Sequence, residues 1–533
     1  MTEPIKLADM NGVVGRTTHG AWDFPRVADR LPHMDRLGIS RALVWKAEAT
    51  QHHALTSNQN LIAEIESCAE ARDRIIPGLV ISGNILYERG GLETLENQML
   101  RGRTRALRFV NALGTISLRQ VEPVVRALAP HTPFLIMRNT DAPAAEILDF
   151  AGALPETAMV LTEVGWGNFS TVLDLMRRRE NILAETSWLH VNGALELLVR
   201  QFGAERVVFG TGYRSHQGAA IAELVRADLS ERERDLIAHG NFERLTARAF
   251  AESPEPPAAN RGGFWQNCLS GGKIGVEIID AHAHVGPSAG FVLEQQMEQD
   301  QARLALEQMD ALGISTMVVS GLQALFGDPV AGNDLVREVL GPHGERFKGY
   351  VVFNPGCGQD LGANFERWFS DGFFVGFKIL CSYWRIPCTD KGFKPMWEYA
   401  QQHRLPVLMH TWSDPFNSPA MFRDLLREYP DVSFLFGHSG GVDAGRREME
   451  ELAVEHPNAY MEWCGSFCST ILWEETLRKV PPRQIVFGSD AMPHSLVWEL
   501  GRLLSIEVPD PVIQPLLGGN MRRILGRRWK AGN

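Results

Sequence analysis

The feature that most constrains this chain is an internal duplication. "LADMNGVVG" at 7–15 matches "IIDAHAHVG" at 278–286, and "HMDRLGISRALVW" at 33–45 matches "QMDALGISTMVVS" at 308–320. Further along, "ALRFV" (106–110) pairs with "GFKIL" (376–380), and "TPFLIM" (132–137) with "LPVLMH" (405–410). "RVVFGTGYRSH" (206–216) pairs with "QIVFGSDAMPH" (484–494), and "HGNFERLTARAF" (239–250) with "GGNMRRILGRRW" (518–529). The order is kept throughout, and the offset stays between 270 (106 against 376) and 279 (239 against 518). A chain of 533 residues is too long for one ordinary core, and this repeat divides it. The expected domains are 1–250 and 274–533, joined by a linker over 251–273 whose "AESPEPPAANRGG" is rich in Pro, Ala, Asn and Gly.

Within each copy, short apolar runs such as "GYVVFN", "PVLMHT", "SFLFGH" and "QIVFGS" alternate with longer amphipathic stretches such as "FKPMWEYAQQH". Unbroken apolar runs are the mark of parallel strands buried on both faces. Strand–helix alternation in copies of roughly 250 residues predicts an α/β protein made of two tandem TIM-like (β/α)8 barrels. Chemistry in such barrels collects at the C-terminal ends of the strands.

Composition narrows the function. With 44% hydrophobic and 22% charged residues and a net charge of −11, the chain suits a soluble globular protein and not a nucleic-acid binder. "MTEPIKLADM" lacks a signal-peptide pattern, and no apolar run is long enough to span a bilayer. The seven cysteines form no paired framework, so reduced thiols in the cytoplasm are expected. Five of them, Cys357, Cys381, Cys388, Cys464 and Cys468, follow strands of the second copy, where buried free thiols are the simpler reading and a thiolate cluster the other.

The second copy carries residues suited to a metal. His282 and His284 are two apart on a predicted strand and so point to one side. His410 ends "LPVLMH", His438 ends "FLFGH" and Asp490 ends "IVFGSD", all at the same predicted barrel mouth. Such a set makes a site of three or four ligands with an open position for water.

In order, Asp-x-His-x-His, a strand-end His, "GHSGG" and "GSDAMPH" resemble the amidohydrolase superfamily, in the amidohydrolase-related branch of hydrolases, lactonases and non-oxidative decarboxylases. The resemblance covers 274–529. It implies that His282, His284, His410 and Asp490 hold one divalent metal, zinc first, with manganese or iron as alternatives. It implies that His438 lies beside the metal, as a ligand or hydrogen-bonded to the water or substrate oxygen, and that Asp490 also moves the proton. Lys378 ends the predicted fourth strand, where some relatives bridge two metals through a carboxylated lysine. A contact to substrate or to a metal ligand is expected instead, with one metal and not two. Arg385 is a candidate clamp for a substrate carboxylate or a solvated loop residue. Trp412 is a candidate stacking surface or a packing residue. His494 recurs as His216, which suggests a structural role.

At the matching positions of the first copy stand Asn11 for His282, Val13 for His284, Arg108 for Lys378, Met137 (within one residue) for His410, Glu163 for His438 and Gly212 for Asp490. The strands persist and the ligands do not. A pseudoenzyme barrel that serves as an intramolecular partner is expected, with a homo-oligomer left open. Three functions compete: a hydrolase acting on a lactone, ester or amide of a small molecule through a metal-activated water; a non-oxidative decarboxylase of a small aromatic or unsaturated acid; and a non-catalytic binding protein. The "DAHAH" opening favours the hydrolase, because some decarboxylases of the branch begin with Glu-x-His.

Overall fold

The computed structural model describes residues 5–18, 20–21, 24–111, 114, 116–212, 216–248, 263–465 and 470–526. Cys468 and the Tyr213–Ser215 part of the first "VFG" phrase lie outside them, as do 249–250 of the expected first domain and 251–262 of the expected linker. The chain divides into two compact units, one holding Met1–Arg261 with Gly290–Val292, the other Gly262–Ala289 with Leu293–Asn533. Residues Gly263–Leu269, read above as linker, form a helix that buries Trp265 and Cys268. Those two buried side chains anchor it to the second unit.

The first unit contains strands β1 (Leu7–Val14), β2 (Ile39–Lys46), β3 (Ile75–Pro77), β4 (Leu79–Ile81), β5 (Ala106–Phe109), β6 (Phe134–Arg138), β7 (Met159–Thr162), β8 (Ile182–Glu185) and β9 (Val207–Val208). All pair in parallel. Gly78 separates β3 from β4: β3 pairs with β2, and β4 pairs with β5. The ring closes between β1 and the end of β9, where Met10 N donates to Phe209 O at 3.0 Å and Gly12 bridges Gly212.

The second unit is one eight-stranded parallel sheet in chain order. Its strands are β10 (Ile278–Val285), β11 (Ile314–Gly321), β12 (Phe347–Val352), β13 (Phe374–Ile379), β14 (Pro406–His410), β15 (Ser433–Gly437), β16 (Ala459–Trp463) and β17 (Ile485–Phe487). Closure comes from Asp490 N to His282 O at 2.7 Å and Met492 N to His284 O at 2.8 Å.

Each barrel is filled from below by apolar side chains. Ile279, Ala281, Val318, Tyr350, Val375, Leu408, Leu435, Tyr460 and Val486 meet Met521 and Ile524 of the last helix, Asn520–Gly526. In the first unit Met10, Leu43, Ile136, Val160, Leu183 and Val208 meet Phe242 and Leu245 of the helix Asn241–Thr246. Both plugging helices follow a π-helical turn, Leu236–Gly240 and Pro515–Gly519.

The strand period of two then sets the layer above this core. Two residues beyond Leu408, Tyr460 and Val486 stand His410, Glu462 and Gly488, and a further step along the last two strands gives Cys464 and Asp490. On β10 a register shift between Asp280 and Ala283 changes the parity. Ile279 and Ala281 belong to the core, yet His282 and His284 also reach the interior. The same shift recurs on β1 between Asp9 and Gly12.

Among the described residues no helix is long and apolar enough to cross a membrane.

Candidate metal centre

The strand ends of the second barrel bring His282, His284 and Asp490 together. Nε2 of His282 lies 3.2 Å from Nε2 of His284. Asp490 Oδ1 is 3.1 Å from His284 Nε2 and 3.6 Å from His282 Nε2. His410 stands beside this group, its ring centroid 4.7 Å from that of His438, which is itself 5.1 Å from that of His282. Lys378 is buried, with Nζ 2.6 Å from His282 Nε2.

Backbone conformation aims two of these groups. His438 has φ 63° and Asp490 φ 59°, in the left-handed region that side-chain-bearing residues seldom adopt. Such strain is typical of functional strand ends. Asp280 fastens the end of β17 to β10 by accepting from Ser489 N at 3.0 Å and from His282 N at 3.1 Å.

Partners on the far side of each ring fix the imidazoles. His282 Nδ1 is 3.1 Å from Glu462 Oε2, and Ser320 Oγ is 2.9 Å from His284 Nδ1. The first contact makes Nδ1 the protonated nitrogen of His282 and leaves the Nε2 lone pair facing Asp490. The sequence reading missed Glu462 and Asp280. The available signal was a carboxylate inside an otherwise apolar strand, "AYMEW" and "IIDAH".

Burial governs the electrostatics. It holds His282, His410 and His438 below the usual imidazole range, so these rings are neutral at pH 7. Burial also lowers Lys378, to about 8, against the attraction of Asp490. For Asp490 burial alone would raise the carboxyl, but His282 and His284 more than offset it and hold the group well below the usual carboxylate range. The donor set suits a divalent cation: neutral imidazole nitrogens and an ionised carboxylate oxygen converge, a crowding of lone pairs that a cation relieves, as the Lys378 ammonium does at His282 Nε2 alone.

Two candidates stand apart. Arg385 is exposed in the turn after the short helix Cys381–Trp384, with φ 55°. Trp412 lies parallel to His410, ring centroids 5.9 Å apart at 4°, and Tyr383 meets His410 edge-on at 5.4 Å. His494 Nε2 is 3.4 Å from Asp490 Oδ2.

In the first barrel, other residues fill the same layer. Arg108 Nη1 donates to Asn11 Oδ1 at 2.9 Å, and Asn11 Nδ2 donates to Glu185 Oε2 at 3.0 Å. The Arg108 guanidinium lies over Trp45, 4.4 Å from the ring centroid. Strand pairing sets Arg138 opposite Thr162 as it sets His410 opposite Gly437, so Arg138 and not Met137 is the counterpart of His410. Glu163 and Gly212 keep the left-handed conformation of His438 and Asp490, with φ 58° and 57°. Among the described residues, the groups of His, Cys, Asp and Glu close enough to share a metal all fall in the second barrel.

Solved structures resemble single barrels of this chain. The 5-carboxyvanillate decarboxylase LigW from Sphingomonas paucimobilis is 14% identical, over 47% of this chain and 99% of its own, with a TM-score of 0.37. A dihydroxybenzoic acid decarboxylase from Polaromonas sp. JS666, solved with manganese and 2-nitroresorcinol, is 16% identical over 47% and 97%, with a TM-score of 0.38. The 4-oxalomesaconate hydratase LigJ from Rhodopseudomonas palustris is 16% identical over 48% and 97%, with a TM-score of 0.36. No curated protein matches the chain. The amidohydrolase family model matches twice, over 23–245 and over 279–527. The chain therefore belongs to the amidohydrolase family and carries its barrel in tandem.

Proposed function

We propose that the second barrel is a metal-dependent hydrolase that cleaves a C–O or C–N bond of a small lactone, ester or amide. The observation that carries this reading is the Asp490 carboxylate, held ionised with Oδ1 against His282 and His284 and Oδ2 beside His494. A divalent cation bound by His282, His284, His410 and Asp490 would polarise the bond to be cleaved and acidify a water, and zinc suits this set, as do manganese and iron. Asp490 takes the proton of the attacking water on Oδ2 and returns it to the leaving group. His494, 3.4 Å away, holds the carboxylate in place. His438, anchored by Nδ1 to Cys464 O at 3.1 Å, presents the lone pair of Nε2 to the attacking water. Lys378 sits against His282 and keeps that ring in position.

The aromatic wall of Trp412 and Tyr383 favours a second reading, a non-oxidative decarboxylase of a planar acid stacked on these rings. Turnover in 18O-labelled water over a panel of lactones, esters, amides and carboxylated arenes separates the two. Label in the product supports hydrolysis; unlabelled product with released carbon dioxide supports decarboxylation. A chain that takes up no divalent metal and turns over nothing on the panel would be a binding protein. The first barrel, with Arg108, Asn11 and Glu185 in the ligand layer, serves as a non-catalytic partner domain in this proposal.

A further inference from the structure

His282 is flanked on both ring nitrogens. The Nε2 side faces His284 and Asp490. On the Nδ1 side a second set of donors gathers: His282, Glu462, Cys464 and His438, all buried, with one ligand atom from each within 4.8 Å of the others. Glu462 and Cys464 lie two apart at the end of β16 and enter the barrel on one side.

The three spacings from Cys464 Sγ are those of a coordination shell. Cys464 Sγ is 3.4 Å from His282 Nδ1, 3.3 Å from Glu462 Oε2 and 3.7 Å from His438 Nδ1. His282 Nδ1 is 3.1 Å from Glu462 Oε2. Zinc bonds of about 2.0–2.3 Å in a tetrahedron put ligand atoms roughly 3.3–3.7 Å apart. Glu462 Oε2, the oxygen that meets the cluster, also accepts from His438 N at 3.0 Å, which ties the start of the Gly437–Gly441 turn to the same carboxylate.

We propose that His282 Nδ1, Glu462, Cys464 and His438 form a second, buried site for a soft divalent cation, zinc or cadmium. The thiolate gives it a softer character than the His and Asp set on the other face of the ring. On loading, the Cys464 thiol proton leaves to solvent, while His282 and His438 each move a proton from Nδ1 to Nε2. A neutral imidazole has one lone pair to give, so a cation in this pocket withdraws His282 from the Nε2 set. The two positions compete, and excess soft metal displaces the first cation. The binding of this cation stands apart from the proposed hydrolase activity, while the competition rests on the metal set proposed for it.

The test uses the full-length chain stripped of metal and titrated with cadmium alone, read by the ultraviolet charge-transfer band of a cadmium–thiolate bond. A saturable band is expected, falling to about a tenth or less in Cys464→Ser and unchanged in Cys268→Ser, whose thiol is buried in the same unit outside the cluster. Glu462→Gln is expected to weaken cadmium binding at this band by about 10-fold or more. Far-UV circular dichroism matched to the parent establishes that each variant is folded. No band at saturating cadmium, an equal band in Cys464→Ser, or an equal loss in Cys268→Ser would each overturn the proposal.

Discussion

Glu462 Oε2 lies 3.1 Å from His282 Nδ1, and the first barrel repeats the relationship with Glu185 Oε2 3.0 Å from Asn11 Nδ2. One barrel keeps the carboxylate beneath an imidazole, the other beneath an amide. The carboxylate orients whatever stands on the first strand; the imidazole keeps a lone pair for a cation, whereas the Asn11 amide oxygen accepts from Arg108. Glu462→Gln should therefore weaken metal retention by about 10–100-fold while leaving the His282–His284–Asp490 set in place. Competition with a chelator of known affinity measures this, and unchanged retention would show that Glu462 does not position His282.

Changing His282 and His284 together to Ala removes two convergent nitrogens. Elemental analysis of the parent should give about one divalent metal per chain after loading with zinc alone. The double variant should retain none while its circular dichroism stays that of a folded α/β protein. Retained metal would move the centre away from the β10 strand.

Asp490→Asn keeps the shape of the residue and removes its capacity to accept a proton. On whichever panel substrate the parent turns over, kcat should fall by about 10²–10⁴. The loss should exceed any loss in metal content. A variant that fails only because it is metal-free would make Asp490 a ligand without a proton-transfer role.

The first barrel should show its own pH signature. Burial pushes the Glu185 carboxyl from 4.5 up to about 8. Between those values the folded barrel keeps a proton that the unfolded chain has released. Stability therefore falls as pH rises through this window, in total by on the order of a few kcal/mol. Glu185→Gln cannot titrate and should lose that slope, whatever its effect at a single pH, since an amide also disturbs the bond from Ser187 N. Hydrogen exchange of the 182–187 segment in the full chain, corrected for intrinsic rates from pH 5 to pH 8, reads the slope. An identical slope in the variant would assign it to another group.

Much of this protein was legible in its sequence because barrel strands advertise themselves. A parallel strand buried on both faces must be apolar throughout, so "PVLM", "SFLF" and "QIVF" mark strands, and a polar residue at the end of each marks the mouth. Duplication sharpened the reading, since each strand could be checked against its copy. The alignment of Asp490 with Gly212 is matched by a shared left-handed backbone, φ 59° and 57°. Glu462 and Cys464 were harder to see, because "AYMEWC" does not say which of its residues face inward.

The sequence alone determined the tandem α/β architecture, the family and the loss of ligand-type residues from the first copy, since all three are fixed by residue type in order along the chain. Tertiary structure decided the pairings. It turned the β10 histidines inward through a one-residue register shift, set Lys378 on His282, and placed Glu462 and Cys464 behind that ring. Those contacts join residues between 96 and 182 positions apart. Only the closure of the sheet, which depends on every strand's register at once, brings them to within a bond's reach.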